Sequence, residues 1–177
     1  MQEIVLFLDI DGVINVRGLY LSELIGCYQR FDLYACPVPL ARQFMQALDR
    51  SESIKPFWMS KGWRKHATLW NQWAQTRPWR VAYPISFVQM RDVMAQNRGF
   101  LLDEIEDSKT LAAIWHSRNA TQVVWIEDGF PDSALAWAKR DSRVTLISTL
   151  HDSEPTQIGI NAGNIDKILA ALKLKLD

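Results

Sequence analysis

The run Ile4-Val5-Leu6-Phe7-Leu8-Asp9-Ile10-Asp11-Gly12-Val13 decides the fold. Apolar residues follow one another without a polar break until Asp9, so residues 4–10 read as a strand buried on both faces rather than an alternating, half-wetted one. Such a strand belongs inside a parallel sheet covered by helices on either side. Moving outward, residues 40–50 place Phe44, Met45 and Leu48 at helical spacing, and residues 54–59 read as a second strand. Helical pattern returns over 63–75, and a third strand is expected over 80–85 despite Pro84. A helix over 109–118, a strand over 122–126, a helix over 131–140 with a proline in its first turn, a strand over 144–148 and a helix over 165–174 complete the series. Strands alternating with helices build βαβ units. The expectation is one α/β domain over residues 1–177, a three-layer, doubly wound, Rossmann-like and mostly parallel sheet. Two stretches break the rhythm, 15–39, with an amphipathic piece around 21–28, and 87–107. Connections of that length are expected to be lids or small insertions.

A chain of 177 residues suits a single domain. Twenty basic and twenty acidic residues cancel, so the total alone gives no ground for a global polyanion binder, but they are unevenly spread. Residues 55–100 carry eight Lys/Arg and a single Asp, whereas 1–54 carry four basic and seven acidic residues and 101–177 carry eight and twelve. Cys27 and Cys36 lack partners at metal spacing and read as reduced thiols. His66, His116 and His151 are scattered and read as surface or capping residues. No signal peptide is recognisable, and no apolar run reaches the roughly 18 residues of a membrane span, so a cytoplasmic protein with no membrane partner is expected.

In open α/β sheets, ligands bind beyond the carboxyl ends of the strands. Those ends carry Asp9-Ile10-Asp11-Gly12, Ser60-Lys61-Gly62-Trp63 and Glu127-Asp128-Gly129-Phe130-Pro131-Asp132. On a regular strand Asp9 and Asp11 would share a face, and two adjacent carboxylates repel unless a cation lies between them. A hard divalent ion, magnesium above all, resolves the repulsion, with Glu127 and Asp128 completing its oxygen shell. Gly12 allows a tight turn and close approach of a phosphate oxygen. Taken alone, an Asp-x-Asp fits a solvated turn equally well. An apolar strand before it, Gly after it and acids at another strand end favour a phosphate and metal site, to which Ser60 would bring a hydroxyl and Lys109 a compensating cation.

Phe7-Leu8-Asp9-Ile10-Asp11-Gly12-Val13, Trp58-Met59-Ser60, Lys109 and Val124-Trp125-Ile126-Glu127-Asp128 resemble, in this order, the four motifs of the haloacid dehalogenase-like (HAD) superfamily. More narrowly, Trp58-Met59-Ser60-Lys61-Gly62-Trp63, the run from Trp125 to Asp128, Trp137-Ala138 with Arg140, and Gly159-Ile160 are similar to small HAD domains of predicted bacterial RNA-repair proteins. The resemblance implies a cap-less or minimally capped phosphohydrolase. In it Asp9 would be the nucleophile and Asp11 the general acid and base, while Ser60 and Lys109 would bind the phosphoryl group. Mg²⁺ would take Asp9, the main-chain carbonyl of Asp11, and Asp128. Retention of an acid at Asp11 implies a phosphatase rather than a dehalogenase. The second acid of the fourth motif is open between Glu127 and Asp132, and Lys109 is preferred to Arg98 as the third-motif cation because it opens a helix.

The substrate expected is phosphorylated, a small molecule or a nucleic-acid end, since Trp58, Trp63, Trp70, Trp73 and Trp79 interleave with Lys61, Arg64, Lys65, Arg77 and Arg80. Against base stacking, Trp63, Trp70 and Trp73 fall at helical spacing and suit a core better. Two other functions are compatible with the residues. One is a catalytically silent binding module of the same fold. The other is a phospho-accepting receiver domain, against which the order of Ser60, Lys109 and the later acids argues.

Overall fold

The computed structural model describes residues 3–16, 28–30, 33–35, 38–97, 108–150 and 159–176. Its elements are β1 (Ile4–Leu8), β2 (Tyr28–Arg30), β3 (Leu33–Ala35), α1 (Pro39–Arg50), β4 (Ile54–Trp58), α2 (Thr68–Ala74) and β5 (Arg80–Val81). They continue with α3 (Phe87–Gln96), α4 (Ser108–Ser117), β6 (Gln122–Glu127), α5 (Asp132–Arg140), β7 (Val144–Ser148) and α6 (Ile165–Leu172). Five strands form one all-parallel sheet in the order β5-β4-β1-β6-β7, and β2 pairs antiparallel with β3 in a separate hairpin.

The unbroken apolar run of β1 is explained by its central place. Leu6 and Leu8 pack with Phe44, Met45 and Leu48 of α1, Trp70 of α2 and Ile165 and Ile168 of α6. Val5 and Phe7 point the other way, to Ala112 and Ala113 of α4 and to Ala134 and Trp137 of α5. Thus α1, α2 and α6 cover one face, α4 and α5 the other, and α3 lies against α4 through Val93 and Leu111. From β1 the chain winds outward through β4 to β5, then crosses to β6 and winds the opposite way to β7. The reversal falls between β1 and β6, where a doubly wound sheet opens its binding crevice. Among the described residues no helix is long and apolar enough to cross a membrane.

Three sequence expectations need correction. Residues 87–107 are not irregular throughout, because α3 occupies Phe87–Gln96. Its start is a capping box in which Ser86 Oγ accepts from Gln89 N at 3.3 Å and Ser86 N donates to Gln89 Oε1 at 2.8 Å. Only Val93 of this helix is buried, and Phe87 and Val88 are exposed, so the apolar stripe that would have announced it is missing. The helix expected over 63–75 is shortened to Thr68–Ala74, with Trp63 in the turns before it. The third strand stops at Val81; Ala82 N still donates to Trp58 O, but Pro84 has no N–H to extend the ladder. The amphipathic piece around 21–28 lies outside the described residues except for Tyr28.

His116, in the last turn of α4, is half-buried rather than fully at the surface. It packs on Phe57 with ring centroids 4.9 Å apart and lies 3.2 Å from Ala82 O through Nε2. Burial holds its pKa below the ordinary 6.5, outweighing the hydrogen bond to Ala82. The unfolded chain therefore takes the proton first. Stability linked to His116 is complete above about pH 6.5 and is lost as pH falls toward the folded value. Melting temperatures between pH 5 and 7.5 should decline toward acid more steeply for the native chain than for His116→Gln. Parallel curves would show that His116 carries no linked proton.

Candidate active site

The ladder continues past the strand ends and brings the chemical residues together. Asp9 N donates to Ile126 O at 3.1 Å, Met59 N to Leu8 O at 2.9 Å and Thr149 N to Glu127 O at 3.0 Å. Asp9 follows Phe7 at a two-residue step, as Glu127 follows Trp125, so both acids emerge on the face covered by α4. There the first turn of α4 supplies Lys109, whose Nζ lies 3.3 Å from Asp9 Oδ2 and 2.7 Å from Glu127 Oε1. Glu127 is held from its other side by Trp125 Nε1, which donates to Oε2 at 3.1 Å.

All three of these charged groups are buried, and Asp9 Oδ1 has no hydrogen-bond partner among the described residues. Carboxylate oxygens of Asp9, Glu127 and Asp128 lie within 4.8 Å of one another. Three acids thus face one ammonium in a low-dielectric pocket. Burial, then the hydrogen bond and charge of Asp9, push Glu127 up to about 9 against the pull of Lys109. Burial and Asp9 also raise Asp128. Burial works against the Lys109 ammonium, but the two carboxylates outweigh it and its pKa ends above the ordinary value. The surplus negative charge is relieved either by a proton retained among the acids or by a divalent cation. An orphaned buried oxygen among hard carboxylate donors suits the second.

Asp11 does not share this cradle. Beyond Leu8 the backbone leaves strand geometry: the N–H groups of Ile14 and Asn15 both donate to Ile10 O, and Gly12 N donates to Asn15 O at 2.8 Å. This turn carries Asp11 away from the regular alternation of the strand, and Asp11 is not one of the three acids grouped with Asp9. Asp11 Oδ1 instead accepts from Trp63 Nε1 at 2.9 Å and from Asn15 Nδ2 at 2.7 Å. Gly12, at φ +74°, lies so close to Asp128 that an added Cβ would sit 2.5 Å from the Asp128 Cβ. Ser60 is buried at the end of β4 and its Oγ accepts from Trp63 N at 3.3 Å. Thr149 Oγ1 donates to Gly12 O at 2.7 Å, and Ile160 N to Val13 O at 2.9 Å, bracing the turn from behind.

Of the two options for the second acid after β6, the structure brings Glu127 into the group and leaves Asp132 exposed at the start of α5. Arg98 lies outside the described residues. Asn15, Trp63, Trp125 and Thr149 also hold the site residues; the first three lie within or beside the motif runs without a role read for them, and Thr149 lies outside them. The helical spacing of Trp63 suits a core residue, and it is buried, but its indole nitrogen is turned to Asp11. Trp58, Trp63, Trp70 and Trp79 are all buried and offer no stacking faces, whereas Lys61, Arg64 and Lys65 are exposed.

Compared with protein-family models, with curated proteins and with solved structures, the chain gives no match.

Proposed function

We propose that the protein is a magnesium-dependent phosphomonoesterase working through an aspartyl phosphate on Asp9. One observation carries this reading: a buried carboxylate has one oxygen beside an ammonium at 3.3 Å and the other unbonded among further acids. In this mechanism Asp9 attacks phosphorus in line with the departing oxygen, a reaction that needs positioning and charge neutralisation more than elaborate covalent machinery. Lys109, held in place by Glu127, balances phosphoryl charge beside the nucleophile, and Ser60 donates its hydroxyl proton to a phosphoryl oxygen. Gly12 leaves room for the group to approach the backbone. Asp11 protonates the leaving oxygen and then takes a proton from the attacking water. Asp9, Asp128 and the main-chain carbonyl of Asp11 would hold magnesium, which supplies positive charge to the non-bridging phosphoryl oxygens when bound. The HAD-like motif order supports the same assignment. Exposed Lys61, Arg64 and Lys65, directly after Ser60, favour a substrate with further anionic groups, such as a nucleic-acid end.

The test is phosphate release from 4-nitrophenyl phosphate and from a panel including 5′- and 3′-phosphorylated oligonucleotides, with magnesium and with a chelator. Release is expected with magnesium alone, and magnesium should raise the melting temperature through its preference for the folded site. No release from any substrate, together with a melting temperature indifferent to magnesium, would overturn the proposal.

A further inference from the structure

Trp63 touches two of the groups just assigned, and it does so with its only two N–H donors. Its main-chain N–H donates to Ser60 Oγ at 3.3 Å and its indole Nε1–H to Asp11 Oδ1 at 2.9 Å. We infer that Trp63 is a positioning residue that fixes the proton direction of both groups; the inference rests on the phosphomonoesterase reading above.

An indole nitrogen is a donor at every working pH and never an acceptor, and an amide Nδ2 is likewise a donor. Asp11 Oδ1 therefore faces two donors, Trp63 Nε1 and Asn15 Nδ2 at 2.7 Å, and must be the accepting oxygen. When Asp11 carries a proton, that proton sits on Oδ2. Oδ2 lies on the side of Gly62, where an added Cβ would be 3.4 Å away, so a side chain at that position would crowd the oxygen that has to act. The same reasoning applies to Ser60. A hydroxyl has one proton, and with Trp63 N–H directed at its oxygen that proton is left to donate to an anion.

Rigidity comes from packing. Trp63 is 2% exposed and stands edge-on to Trp70 at 5.1 Å between centroids, and Trp70 stands edge-on to Trp73 at 5.8 Å. Asn15 is fully buried. The tryptophans that sequence spacing marked as core thus form a buttress for a catalytic carboxylate.

In the first half-reaction a bond forms from a carboxylate oxygen of Asp9 to phosphorus while the bond from phosphorus to the leaving oxygen breaks, and that oxygen takes the proton of Asp11 Oδ2. In the second, water attacks phosphorus and gives its proton to Oδ2 while the bond between phosphorus and Asp9 breaks. Loss of the indole donor should therefore hurt most where the leaving oxygen is most basic.

Trp63→Phe removes Nε1–H and keeps a ring. Its kcat/KM, which reports the first half-reaction, is to be compared with the native value for a simple alkyl phosphate and for 4-nitrophenyl phosphate, both with magnesium. The fall on the alkyl phosphate should exceed that on 4-nitrophenyl phosphate by at least about tenfold, part of the ~10²–10⁴ that a positioned general acid supplies. Equal falls on both substrates, or none on the alkyl one, overturn the inference and leave the phosphatase reading standing. A native protein inactive on both overturns the phosphatase reading and this role with it. Should Trp63→Phe not fold, the indole N–H resonance of Trp63 in the native chain decides the contact. It should move upfield in Asp11→Ala, and if no indole resonance moves the inference fails.

Discussion

Asp9→Asn is expected to lower magnesium-dependent phosphate release by at least about a thousandfold, in line with the losses seen when a nucleophile is removed outright. The amide has nearly the shape of the carboxylate but cannot form the acyl phosphate. Its effect on stability separates this loss from misfolding. Asp9 is one of three acids crowded within 4.8 Å, and the charge and hydrogen bond of Asp9 are causes of the raised Glu127 pKa. Neutralising it relieves that crowding while Lys109 keeps Glu127 at 2.7 Å. Without metal, relief of the crowding is set against loss of the 3.3 Å pair with Lys109, so the variant should melt close to the native chain, and the rise in melting temperature with magnesium should shrink or vanish. Activity equal to that of the native protein would reject Asp9 as the nucleophile.

Gly12→Ala should cost about 1–3 kcal/mol in stability and most of the activity, at least about a hundredfold. Two effects combine at this position. A side chain at φ +74° is strained on any surroundings, and the new Cβ would meet Asp128 Cβ and Oδ2 at 2.5 Å. Since Asp128 is held beside Gly12 by the ends of β6 and β7, either the turn or the acid must shift, and both belong to the site. Gly129→Ala is the matched control, for nothing lies within 4 Å of its added Cβ. Thermal melts and phosphate release measured side by side should show the first variant impaired and the second near native. Matching behaviour of the two would refute the close approach of Gly12 to Asp128.

The sheet was legible because β1 is apolar at every position from Ile4 to Leu8, a pattern produced by helices on both faces. Acids at the ends of β1 and β6 could be assigned to one crevice from chain order alone, and the two strands do pair, Leu8 opposite Ile126. Two features were hidden for physical reasons. Helix α3 buries one residue completely, so its signal lay in the Ser86–Gln89 capping box rather than in periodicity. The placing of Asp11 depends on a turn whose hydrogen bonds converge on Ile10 O, and alternation along a strand says nothing about where the strand stops. Trp63 was assigned to packing on its spacing, which described its ring correctly and missed its nitrogen. A tryptophan's apolar surface dominates any sequence pattern, while its single donor is seen only once its partner 52 residues away is in place.

Thr149 and Gly12, joined at 2.7 Å, are 137 residues apart in sequence. The first made of the five sheet strands is also the central one, and its neighbour on one side, β6, begins opposite Ile4 only at Gln122. The turn after β1 is thus made 137 residues ahead of Thr149, and it gains that brace and the one from Ile160 only once both have been made. An incomplete chain ending before β6 would carry Asp9 and Asp11 without Glu127, Asp128 and Thr149 beside them.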